Sequence, residues 1–182
     1  MMEWKQSLEM LKEGNHRFVT QNLENKFHVE EDFMKMAKKQ EPIALILTCS
    51  DSRISPDIVF DQALGSLFIV KNAGNVLTDS VLGSMEYAVS ELEVPLILVL
   101  GHYGCGAVTA AKAKVPPKEK ALYDLVERIY NHVSQTDTID EAVDMHATKT
   151  AKEVRVALGN KVKVAAAAYH LDSGKIDWLD ID

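Results

Sequence analysis

Two unbroken apolar runs constrain this chain most. Ile43-Ala44-Leu45-Ile46-Leu47-Thr48 and Leu96-Ile97-Leu98-Val99-Leu100 are aliphatic and β-branched, with no polar alternation. A strand with one wet face alternates. A strand buried on both faces does not, and such strands belong to parallel sheets covered by helices. Each run stops at residues that carry chemistry, Cys49-Ser50-Asp51-Ser52-Arg53 and Gly101-His102-Tyr103-Gly104-Cys105-Gly106. In an open α/β sheet, residues just past the carboxyl ends of parallel strands meet in one crevice. Cys49, His102 and Cys105 are therefore expected to converge. Two thiolates and an imidazole suit zinc, and three protein ligands with the fourth position open mark a catalytic site rather than a structural one.

The rest of the chain supplies the elements such a sheet needs. Leu8, Leu11, Phe18 and Val19 recur among charged residues from Trp4 to Gln21, a helical pattern. Phe33, Met34 and Ala37 predict a second helix from Val29 to Lys39, and Pro42 ends it. Ser55-Pro56 opens a short helix. Leu67 to Val70 is a strand, and Asp79 is expected to cap a helix running through Met85, Tyr87, Ala88 and Leu92. An alanine-rich helix follows Gly106, and Leu122–Val133 and Ile139–Leu158 read as helices, the latter closed by Gly159-Asn160. Val162–Tyr169 is a further strand, and Asp172-Ser173-Gly174-Lys175 turns the chain into a last one, Ile176–Leu179. The prediction is an α/β fold: a central, mostly parallel, four- to five-stranded sheet flanked by helices.

Length fits a single domain over residues 1–182, with a helical arm over 1–40 and an α/β core over 41–182. A formal charge of −7, with no Lys/Arg run, argues against nucleic acid as a partner. The sequence shows neither an apolar run of membrane-spanning length nor a signal-peptide pattern, so a cytoplasmic protein away from membranes is expected. In a reducing compartment two cysteines serve more readily as ligands than as a disulfide.

Cys49-x-Asp51-x-Arg53 followed by His102-x-x-Cys105 resembles the zinc signature of the β-class carbonic anhydrases. Leu11–Phe18, Phe68–Asn75, Gly83–Val89 and Tyr169–Lys175 also look like segments of that family, and the likeness is weakest from Lys114 to Leu158. The resemblance implies one Zn2+ per chain, bound by Cys49, His102 and Cys105. It implies reversible hydration of CO2 to bicarbonate and a proton, through attack of zinc-bound hydroxide. It also implies a homodimer, or a dimer of dimers, in which the N-terminal helical arm packs on the partner subunit. Asp51 and Arg53 would form a catalytic dyad, with Arg53 holding Asp51 off the metal in a bidentate pair shielded from water. Gln40 would reach the other chain's site. Phe68 and Tyr87 would wall the pocket for CO2 or bicarbonate, and Ala73 and Gly106 would leave room for it.

Two positions depart from one bacterial branch of the family, which binds an inhibitory bicarbonate through Trp, Arg and Tyr. Ile46 stands where that branch has Trp, and Lys71 stands where the family usually has Arg. An open site, with Asp51 on Arg53, is the expectation that follows. Tyr103 is expected at the pocket mouth, and His170 as a satisfied turn residue. His16, His28, His132 and His146 stand among polar neighbours and are expected to be solvated. Hydrolysis of carbonyl sulfide or carbon disulfide on the same zinc scaffold is the alternative activity. A noncatalytic zinc-binding interaction protein is disfavoured because Asp51 and Arg53 are both present.

Overall fold

The computed structural model describes residues 2–24, 33–34, 36–114 and 117–180. Strands β1 (Ala44–Cys49), β2 (Leu67–Asn72), β3 (Leu96–His102), β4 (Lys163–Tyr169) and β5 (Ile176–Asp180) form one sheet in the order β2-β1-β3-β4-β5. The first four are parallel, and β5 returns antiparallel to β4. The runs are buried from Ala44 to Thr48 and from Leu96 to Leu100, with Ile43 partly buried at the start of the first. Their alternate side chains serve two cores. Ala44, Ile46, Leu96, Leu98 and Leu100 face one, and Leu45, Leu47, Ile97 and Val99 face the other. Two dry faces leave no position for a polar residue, which is why the runs lack one.

Helices α1 (Trp4–Val19), α2 (Pro56–Val59), α3 (Asp79–Ser90), α4 (Gly106–Ala113), α5 (Lys120–Val133) and α6 (Ile139–Leu158) cover those faces. Leu8 and Leu11 of α1, Val108 of α4 and Ile129 of α5 close the first core. Val81 and Met85 of α3, with Ala147, Ala151 and Val154 of α6, close the second. In β4, Ala165–Ala168 form a strand despite alanine's preference for helix. Small residues let α6 lie close to β3 and β4: a Cβ added to Gly101 would meet the Ala147 Cβ at 3.3 Å.

From β1 the chain passes to β2 on one side and then to β3 on the other. The reversal between β1 and β3 opens a crevice at their carboxyl ends. The register Thr48↔Leu100 places the residues after both strands at its mouth.

One helix cap differs from the sequence expectation. The cap of α3 is Thr78, whose hydroxyl accepts from the Val81 N–H, and Asp79 is the first helical residue. Much of the predicted helix from Val29 to Lys39 lies outside the described residues. Helix α1 also finds a partner in its own chain. Asn15 Nδ2 donates to the carbonyls of Val59 (3.2 Å) and Gly174 (2.8 Å). Arg17 pairs with Asp61, and a Cβ on Gly14 would fall 1.8 Å from the Phe60 carbonyl oxygen. Its apolar stripe therefore does not by itself call for a second subunit. Among the described residues no helix is long and apolar enough to cross a membrane.

Candidate metal centre

Cys49 ends β1, His102 ends β3, and Cys105 is the residue before α4. Gly104, at φ 70°, makes the turn that returns the chain from His102 to Cys105. All three side chains are buried, and their ligand atoms lie within 4.8 Å of one another. His102 Nδ1 faces the Tyr103 carbonyl at 3.1 Å. A carbonyl can only accept, so Nδ1 carries the hydrogen and Nε2 presents its lone pair. That Nε2 is buried without a hydrogen-bond partner among the described residues. An orphaned lone pair beside two sulfurs is what a bound cation would satisfy.

The sulfurs point the same way. Hydrogen bonding from Cys105 pushes the Cys49 thiol down to about 4, and the Gly74 N–H adds to this at 3.3 Å from Sγ. The same contact, together with burial, pushes Cys105 up. Two sulfurs this close share one proton unless a cation lies between them, and a divalent metal allows both to ionise. The donor set thus fits a metal of the zinc type.

Asp51 follows β1 by two residues. Arg53 Nε donates to Asp51 Oδ1 at 2.9 Å and Nη2 donates to Oδ2 at 2.7 Å. The Arg53 backbone N–H adds a third bond to Oδ1 at 3.0 Å. The guanidinium holds the Asp51 carboxyl well below the usual carboxylate range, against the opposing effect of burial. Oδ2 lies 3.9 Å from His102 Nε2, so the carboxylate borders the ligand cluster while staying on Arg53. The pair is not shielded as expected: the Arg53 side chain is 59% exposed and that of Asp51 18%. Water competes for the guanidinium, and the pair is weaker than a buried one.

The carbonic anhydrase family profile matches residues 44–176 of this chain. The chain belongs to the β-class carbonic anhydrases. A protein of Mycobacterium tuberculosis named carbonic anhydrase 2 is 38% identical, over 91% of this chain and 87% of the relative. A carbonic anhydrase of Mycolicibacterium smegmatis is 34% identical, over 92% of this chain and 89% of its own. The solved structure of a Coccomyxa β-carbonic anhydrase in complex with acetazolamide superposes with a TM-score of 0.73 at 26% identity, covering 81% of this chain and 76% of that one. The relatives are named carbonic anhydrase, a lyase, and the β-class enzymes are metalloenzymes.

The expected pocket residues are only partly assembled within one chain. The Phe68 and Tyr87 rings pack at 6.2 Å between centroids, with Tyr87 47% exposed. Gln40 is exposed, and lines with Tyr87, Ile43 and Pro95 an open groove of about 920 Å3 on the single chain. Ala73 stands in the turn after β2, and Gly106 opens α4 with nothing within 4 Å of an added Cβ. Ile46 is buried in the core, and Lys71 Nζ binds the Ile54 carbonyl at 2.7 Å. Tyr103 turns away from the crevice. Its hydroxyl contacts Asp144 and Asp177 at 2.9 and 3.1 Å, and His170 stacks on its ring while bonding Asp177.

Two histidines overturn the expectation of solvation. His146 is 1% exposed, and the His132 side chain 13%. The signal for His146 lay in spacing. Val143, Ala147, Thr150, Ala151 and Val154 form the buried stripe of α6, and His146 sits on it. Its polar neighbours in sequence occupy the other face. His28 lies outside the described residues.

Proposed function

We propose that this chain binds one zinc ion through Cys49, His102 and Cys105 and catalyses the reversible hydration of carbon dioxide to bicarbonate. The observation that carries the reading is the ligand cluster with Asp51 locked on Arg53 beside it. Zinc, when bound, acidifies water and so supplies a nucleophile at moderate pH. Two thiolates neutralise the ion more fully than neutral imidazoles would, so activity is expected to favour alkaline pH.

The protein's own groups do the rest. Asp51, ionised and acceptor-only, takes a hydrogen bond from the attacking water and aims its lone pair at carbon. Arg53 keeps Asp51 from occupying the water's place. Phe68, Tyr87, Ala73 and Gly106 are assigned to the pocket for a small apolar gas, and Gln40 of the partner subunit to a donor for substrate oxygen. This reading needs a homodimer. It is supported by the exposed Tyr87 and by the groove around Ile43 and Pro95, which a second copy would cover. A reducing cytoplasm fits two cysteines kept as ligands.

The test is zinc analysis and stopped-flow CO2 hydration on one preparation, with carbonyl sulfide as a second substrate. One zinc per chain, hydration far above the uncatalysed rate and loss of both in Cys105→Ala are expected. A zinc-loaded dimer that turns over carbonyl sulfide but not CO2 would overturn the proposal.

A further inference from the structure

A polar chain runs from the surface to the back of the metal centre. Glu153 Oε1 lies 2.9 Å from His132 Nε2. His132 Nδ1 lies 3.0 Å from His146 Nδ1, and His146 Nε2 lies 2.7 Å from the Gly74 carbonyl. Both ends of this chain are acceptors. Its contacts need three hydrogens, whereas two neutral imidazoles supply two. The third hydrogen has its place in the 2.9 Å contact between Glu153 Oε1 and His132 Nε2. The assignment is then fixed. His146 is neutral, as burial also dictates by pushing it down to about 4. Its Nε2–H donates to Gly74, and its Nδ1 accepts from His132. Lys149 Nζ, bound to the His132 carbonyl at 2.7 Å, ties the backbone of the pair down.

Gly74 is no ordinary end point. It stands at φ 70° in the turn Ala73–Asn75, and its own N–H lies 3.3 Å from Cys49 Sγ. A Cβ there would meet Ile129 Cδ1 at 2.6 Å and the Ala107 Cβ at 3.1 Å. The turn is confined by packing on one side and held through its carbonyl on the other. A leucine or phenylalanine would fill the space of His146 without the cost of burying a polar ring. Only a donor holds the carbonyl.

We propose that His146, kept as an Nε2–H donor by His132 and Glu153, is a positioning residue of the metal centre: it anchors Gly74, whose amide donates to the Cys49 thiolate and limits the charge that sulfur gives the metal. The proposal rests on Cys49 being a metal ligand. Outer groups of this kind typically change metal affinity about 10–100-fold.

The experiment uses the full-length metal-loaded protein and His146→Phe, His146→Gln and Glu153→Gln. Zinc affinity is read by chelator competition, and thiolate donation by the sulfur-to-metal charge-transfer band of the cobalt(II) form. His146→Phe should bind zinc about tenfold more weakly, with the band moved to lower energy. His146→Gln, whose amide can donate to the same carbonyl, should restore most of both. Glu153→Gln, a surface change, should move the band the same way by less. Long-range 15N spectra of the unaltered protein should show His146 protonated at Nε2. Unchanged affinity and band in His146→Phe, a Gln variant as impaired as Phe, or an Nδ1–H tautomer at His146 would each overturn the proposal. If His146→Phe does not fold, the Glu153→Gln band and the 15N spectra decide. A wild-type chain that takes up no metal sinks the metal-site reading. Full uptake with indifferent His146 variants sinks this proposal alone.

Discussion

Replacing Arg53 by alanine separates the role of the dyad from that of the metal. The substitution removes the two side-chain bonds to Asp51, at 2.9 and 2.7 Å, and leaves the backbone bond at 3.0 Å. An exposed ion pair contributes about 0.2–1 kcal/mol. Here the geometry is bidentate and one partner is mostly buried, which places the hold on Asp51 at the strong end for a water-exposed pair. Freed to that extent, Asp51 competes with water for the metal, and kcat/KM for CO2 should fall about tenfold while zinc content stays at one per chain. Lysine at this position should recover part of the loss, since it restores the charge without the fork. The pH dependence has a definite sign. Arg53 lowers the Asp51 pKa, so its removal raises that pKa toward the ordinary carboxylate value of about 4. Asp51 then remains ionised above about pH 6, and the loss of rate should be flat from there upward. Stopped-flow hydration with a pH indicator, alongside metal analysis, measures both quantities. Activity within twofold of the parent, or a loss that tracks loss of zinc, would refute the reasoning.

Other outcomes follow from the same geometry. Gly74→Ala meets a left-handed backbone, about 1–2 kcal/mol, and a clash with Ile129, about 1–3 kcal/mol; urea unfolding should show about 2–5 kcal/mol lost. Gly14→Ala drives a Cβ into the Phe60 carbonyl and should cost more than about 3 kcal/mol, whereas Gly106→Ala enters open space and should cost nothing in the same unfolding assay. His146 is held below its unfolded pKa, so the unfolded chain binds its proton first as pH falls. Stability is therefore full above about pH 6.5 and drops by an amount on the order of 3 kcal/mol down to about 4, a slope that His146→Gln should lack in pH-dependent denaturation.

Much of the fold is legible because its signals are local. Ile139–Leu158 was readable to the residue: Thr138 caps it in a box with Glu141, and Gly159 at φ 62° stops it. The convergence of Cys49, His102 and Cys105 was readable for a topological reason, since parallel strands deliver their carboxyl ends to one side of a sheet. The pocket residues were less so. Gln40 and Tyr87 line a surface of the single chain, and their assigned role depends on a second copy that one chain's spacing cannot encode.

By itself the sequence determined periodicity, and with it the dihedral class of each segment and the face each side chain takes. Runs without polar positions had to be strands with two dry faces, and the residues after them had to meet. What the tertiary structure alone decided is how much water reaches each polar group. Arg53, expected to be shielded, lies 59% exposed, and His146, expected in solvent, lies 1% exposed. Exposure is a sum over neighbours from every part of the chain. His146 meets Gly74, far away in sequence, and Cys49 comes beside Cys105 only once two strands are side by side. Local pattern fixes which way a group points; the electrostatics that make it useful come from what the closed fold places opposite it.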